Sequence, residues 1–141
     1  MSAVLAKIPY TMGLGLTLDR AADGEVRMTL PEGDAHRNLA GTVHAGLLYT
    51  FGETVAGVAA GMETLEQAFP FARSAHIRYR RPARGVVHGS ARVGSDEIRR
   101  VLDELTRSGR SELTVCARLA GEDGETVAEV EVDYAFRALE K

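Results

Sequence analysis

The chain of 141 residues carries a net charge of -3 with a pI near 5.8, and 45% of its residues are hydrophobic. That length fits one domain, 1–141, which buries roughly two thirds of its unfolded surface without disulfides or metals. The acidic balance argues against a nucleic-acid partner, the lone Cys116 excludes an intramolecular disulfide, and no apolar run is long enough to cross a bilayer. With neither a basic start nor a long apolar core in MSAVLAKIPYTMGLGL, the expectation is a cytoplasmic protein without a membrane partner.

In chain order, residues 3 to 8 read as a short helical turn ended by Pro9. Leu14 to Leu18 alternates, Asp23-Gly24 signals a turn, and Glu25 to Leu30 alternates again before Pro31, so 14–30 reads as a hairpin. A polar loop, 32–41, leads into the stretch Asn38 to Met62, which reads as one long helix with Thr42 as its N-cap. Its apolar residues Leu48, Phe51, Val55, Val58 and Met62 recur at spacings of three and four, beside a strip of small residues, Ala45, Gly52, Ala56 and Ala59. Such a helix is expected to be buried. Gly52 and Gly57 each cost about 1 kcal/mol of helix propensity, so close packing is the better reason for them. Within this run stands one carboxylate, Glu53.

Beyond the helix, 63–71 reads as irregular, 72–81 as a strand, Pro82 and Gly85 as a turn, and 86–93 as a further strand. Ile98, Val101, Leu102 and Leu105 then give a half-exposed second helix over 96–108, with Ser95 as N-cap and Gly109 just past its end. Two final strands, 111–120 and 126–138, are joined by the glycine-rich loop 121–125, and Cys116 reads as a small core residue. The pattern is α+β, an antiparallel sheet wrapped around one long central helix, with an extra short helix between later strands.

Asn38, the turn Gly41-Thr42-Val43-His44-Ala45-Gly46 and Glu53 resemble the signature of the hotdog-fold acyl-CoA thioesterases. In the phenylacetic-acid-degradation and hydroxybenzoyl-CoA types, an Asn lies six residues before a His-Gly-Gly turn and an acidic residue nine after the His. Asn38, His44 and Glu53 have those separations, and HIRYRRPARG is similar to the family's third strand, so the resemblance covers most of 14–94. Two departures stand out: Ala45 replaces the first glycine of the pair, and the helix at 96–108 stands where many relatives have a hairpin.

The resemblance implies hydrolysis of an aryl or short-to-medium acyl-CoA thioester, with no cofactor beyond the coenzyme A of the substrate and no metal. Backbone N–H groups of Ala45 and Gly46 at a helix start would bind the developing oxyanion. Glu53 would be the base for a water or the nucleophile, its pKa raised by apolar surroundings, while Asn38 and His44 orient the reactants. Tyr49, Thr50, Arg80, Arg81 and Arg84 are assigned to substrate binding, with Phe69, Phe71 and the second helix helping Tyr49 to set pocket depth. No GxSxG, GxGxxG or metal-ligand spacing is present. Plainer readings stay open: Glu53 paired with an arginine across an interface, His44 as a cap, Asn38 as a turn residue, and the arginines as a solvated strand face. Also open are a noncatalytic acyl-CoA-binding protein and a hotdog enoyl hydratase or dehydratase. Gly46 and Glu53 lie about 10 Å apart along the helix, so one chain cannot bring both to one carbonyl. Two antiparallel helices about a two-fold axis can, which gives the expectation of a dimer, or a dimer of dimers, with shared sites.

Overall fold

The alternating segments pair into one six-stranded antiparallel sheet in the computed structural model, which describes residues 5–140. Strands β1 (Thr17–Ala22) and β2 (Glu25–Leu30) form the first hairpin around Asp23-Gly24, both with positive φ. β3 (Ala68–Tyr79), β4 (Val87–Arg92), β5 (Arg110–Ala120) and β6 (Thr126–Ala138) complete the sheet in the spatial order β1-β2-β4-β5-β6-β3. Period-two burial fixes which face is inside: Leu113, Val115, Ala117 and Leu119 of β5 point inward, as do Val130, Val132, Tyr134 and Phe136 of β6. Cys116 falls on the outward set and is exposed, which corrects its reading as a core residue.

The long helix, Ala45–Gly61, packs on the inward face against β2 to β6. It follows α1 (Pro9–Met12) in the chain and is α2 here. Leu48, Phe51, Val55, Ala56 and Ala59 join the strands in one core cluster, each fully buried Phe, Leu or Val contributing on the order of 1.5–3 kcal/mol. Small residues set how close helix and sheet come. A β-carbon on Gly52 would run into the Val130 side chain, and one on Gly89 of β4 would lie 2.8 Å from Val55 Cγ2. The architecture is the expected α+β hotdog arrangement.

Several boundaries differ from the sequence reading. Pro9 begins α1 at its first turn instead of ending a helix, where a missing N–H costs nothing; part of the turn expected over 3–8 lies outside the described residues. The hairpin starts at Thr17, not Leu14. β3 starts at Ala68, inside the stretch read as irregular, because it is an edge strand and Pro70 there removes no needed donor. Ser95 is the first residue of α3 (Ser95–Ser108) and Gly94 its N-cap, with no side-chain cap bond. Gly109 ends α3 at φ 71°, as expected of a C-terminal glycine.

Candidate active site

The helical repeat gives α2 two faces, and only one of them meets the sheet. Tyr49, Thr50, Glu53, Thr54, Gly57 and Gly61, spaced by three and four, line a cleft of about 740 Å³ instead. The helix is therefore not buried all round, which corrects the sequence expectation. Leu5, Ile8 and Tyr10 from the N-terminal segment, Leu65, and Phe69 from β3 form the remaining walls, with Gly46 at the helix entrance. Tyr10 Oη lies 3.4 Å from Thr50 Oγ1, tying α1 to α2 across the cleft.

Among the described residues, Glu53 is the one charged side chain of this lining, and it is half-buried. Burial pushes its carboxyl above the ordinary value of 4.5, and a hydrogen bond from Tyr134 partly offsets that rise. Tyr134 Oη lies 3.2 Å from Glu53 Oε1 and 3.1 Å from the Glu53 carbonyl oxygen. Burial, then the neighbouring Glu53 charge, pushes the Tyr134 phenol well up, so it stays a neutral donor. Sequence reasoning missed Tyr134. The signal was a polar ring at an inward position of an otherwise apolar alternating strand.

The helix entrance is built differently from the expectation. The N-cap is His44, not Thr42: its Nδ1 accepts from Gly46 N–H at 2.9 Å, which leaves the ring proton on Nε2. So the Gly46 amide is occupied, whereas Ala45 N–H has no partner among the described residues. Thr42 is drawn into the preceding loop, where Asn38 Nδ2 donates to its Oγ1 at 2.8 Å and Asn38 Oδ1 accepts from Ala40 and Thr42 N–H, both at 3.0 Å. Asn38 thus folds its own loop and lies outside the cleft of its own chain, as does His44. That loop is clasped by His44 N–H to the His36 carbonyl and Val43 N–H to the Ala83 carbonyl, and its tip, Leu39, is fully exposed. Tyr79 Oη donates to the Ala45 carbonyl at 2.9 Å, fixing β3 against the first turn of α2.

Of the residues assigned to substrate binding, Tyr49 and Thr50 line the cleft and the arginines do not. Arg80 pairs with Glu129, and Arg81 with Asp123 and Glu125, all exposed pairs worth little individually. Arg84 lies in a small polar depression beside His36, Arg37 and Gly41. Phe69 reaches the cleft and Phe71 does not. None of the residues of α3 reaches it either, because that helix turns Val101 and Leu105 onto β5, so its expected influence on pocket depth is not found. A second depression of about 690 Å³ lies on the outer sheet face among Arg27, His76, Arg78, Arg92 and Glu131. No group of three or more His, Cys, Asp or Glu among the described residues is placed to hold a metal, and no helix among them is long and apolar enough to span a membrane.

Comparison with known proteins agrees with this architecture. A Pseudomonas aeruginosa protein of unknown function, described as a probable thioesterase, is 30% identical, with TM-score 0.80 over 94% of this chain and 89% of its own. The Escherichia coli PaaI protein from the phenylacetic acid degradation operon superposes with TM-score 0.75 at 14% identity, over 99% of this chain and 90% of its own. A phenylacetic acid degradation-related protein from Ralstonia eutropha does so with TM-score 0.74 at 22% identity, over 95% and 97%. No curated protein matches the sequence. A family model described as a domain of unknown function, DUF4442, matches residues 1–135, and the chain therefore belongs to that family, with a protein described as a probable thioesterase among its structural neighbours.

Proposed function

We propose that the protein hydrolyses acyl-CoA thioesters carrying an aryl or short-to-medium acyl group, with Glu53 as general base or nucleophile. One observation carries this reading: an apolar cleft of substrate size is lined by a single ionisable carboxyl, whose pKa is raised by burial toward the range useful for proton transfer. As base, Glu53 takes a proton from water while the water oxygen bonds to the thioester carbon; the C–S bond then breaks and the coenzyme A thiolate leaves with a proton. As nucleophile, Glu53 forms a mixed anhydride that water hydrolyses. In either route negative charge grows on the carbonyl oxygen, and Ala45 N–H, without a partner among the described residues, is a donor for it at a helix start. Gly46 N–H joins it once the His44 ring rotates off.

The two halves of this machinery belong to different chains in our reading, which makes the protein a homodimer, alone or within a dimer of dimers. Support comes from β3, a strand of 12 residues at the sheet edge with Phe71 and Tyr79 exposed, and from the exposed Leu39 at the tip of the Asn38 loop. A two-fold axis would bring that loop, with Asn38 and His44, to the partner's Glu53. Coenzyme A phosphates would then meet Arg80, Arg81 or Arg84 outside the acyl cleft. The exposed Cys116 thiol suits a reducing compartment, and we place the protein in the cytoplasm.

A binding-only role draws on the occupied Gly46 amide and on an Asn38 whose side-chain oxygen and nitrogen both bond within its loop. The deciding experiment is thiol release over a panel of acyl-CoA esters in buffer containing a chelator. Saturable release supports hydrolysis. Saturable binding without release supports the sensor, and loss of the ultraviolet band of an enoyl-CoA supports a hydratase.

A further inference from the structure

We infer that Tyr134 is a positioning residue for Glu53, holding one carboxylate oxygen so that the other faces the substrate; this rests on the assignment of Glu53 as base or nucleophile. Tyr134 reaches α2 from β6, and its single hydroxyl proton has two acceptors in range, Glu53 Oε1 at 3.2 Å and the Glu53 carbonyl oxygen at 3.1 Å. It serves one at a time. An ionised carboxylate is the stronger acceptor, so the proton turns to Oε1 when Glu53 is charged and to the carbonyl when the carboxyl is protonated. Oε2 has no partner among the described residues, yet none of their buried side-chain oxygens is left unsatisfied, so Oε2 opens onto the cleft.

Two neighbours and the burial of the ring keep the hydroxyl in place. Gly57, one turn after Glu53, leaves the space that the phenol uses: a β-carbon there would stand 3.2 Å from the Tyr134 hydroxyl and 3.7 Å from Glu53 Oε1. Ala72, the ladder partner of Tyr134 on β3, is small, and the β3–β6 register slips between Ala72 and Ser74, immediately beside it. Such a bulge re-aims the side chains next to it. The Tyr134 ring itself is only 2% exposed, so it cannot swing into solvent. Among the described residues, Tyr49 on α2 and Tyr10 on α1 are the other titratable groups of the cleft, and no Lys, Arg, His or Asp lines it to compete for the carboxylate.

Replacing Tyr134 by Phe keeps the ring and the burial while removing the donor to the charged form, so the Glu53 pKa must rise. A charge-assisted hydrogen bond corresponds to a shift of about one pH unit. The test is a carbon-13 NMR titration of the Glu53 carboxyl in wild type and Tyr134→Phe, beside the pH profile of kcat/KM for acyl-CoA hydrolysis. We expect the titration and the acid limb to move up together by about one unit, with KM unchanged. Gly57→Ala, whose methyl group meets the Tyr134 hydroxyl first, moves both in the same direction and replaces Tyr134→Phe if that variant does not fold. A Glu53 titration unchanged in the folded variants overturns the inference whatever their activity. A shifted titration with an unshifted acid limb upholds the hydrogen bond and instead contradicts Glu53 as the reacting group.

Discussion

Gly52 lies directly against Val130, so that any β-carbon on α2 at this point would overlap the valine side chain of β6. Both groups are in the closed core, and neither is the end of a flexible chain. Gly52→Ala therefore gains helix propensity of about 1 kcal/mol but forces the helix off the sheet, an overpacking cost of about 1–3 kcal/mol. Thermal unfolding should show a net loss of a few degrees, and a variant more stable than wild type would mean that helix and sheet separate freely here.

Glu53 links stability to pH with a definite sign. Its folded-state pKa lies above the ordinary 4.5, so the folded state holds its proton over a window in which the unfolded chain has lost it. Stability contributed by this group is intact below that window and falls as pH rises through it. Glu53→Gln carries no such proton. Denaturant unfolding should find the variant more stable relative to wild type at pH 7 than at pH 4, whereas a gap that shrinks with rising pH would show the carboxylate to be favourably paired.

How far the sequence could be read depends on which signals are local. The small-residue strip is written in the helical repeat, and Gly52, Ala56 and Ala59 are buried in the core, whereas Ala45 at the head of the strip is exposed. Glu53 announces itself as the lone charge in an apolar run. Thr42 was a sound N-cap by residue type, but Asn38 claims its hydroxyl and His44 takes the cap, a competition decided by loop geometry that no periodicity encodes. Cys116 reads as apolar by type and is placed outside by the β5 register. Tyr134 meets Glu53 across 81 positions of sequence, a distance over which neither spacing nor propensity carries information.

Shared sites make a prediction that single variants do not. Asn38→Ala removes three side-chain hydrogen bonds of the entrance loop, and Glu53→Ala removes the reacting group. If the loop of one chain serves the Glu53 of its partner, refolding the two variants together gives about half heterodimers, each with one intact site, and up to about a quarter of wild-type activity. That estimate takes each variant alone as nearly inactive. A mixture as inactive as its parents, with subunit exchange verified by mass, would place both groups in one chain.

The occupied Gly46 amide gives His44 a testable double role. His44→Ala removes the cap, costing about 1 kcal/mol of stability, and at the same time frees the Gly46 N–H to bind an oxyanion. Turnover should fall by about tenfold or less, well short of the loss expected at Glu53. A loss as large as that of Glu53→Gln, with the fold intact by circular dichroism, would make the imidazole a reacting group in its own right.

The most direct measurement compares wild type with Glu53→Gln in the release of free coenzyme A from the best ester of the acyl-CoA panel, at matched protein concentration and with unfolding midpoints recorded for both. Loss of a base or nucleophile predicts turnover lower by about a hundredfold or more, with the fold retained. Near-normal release by Glu53→Gln, or no release above background by wild type with any ester, would contradict thioester hydrolysis at this carboxyl.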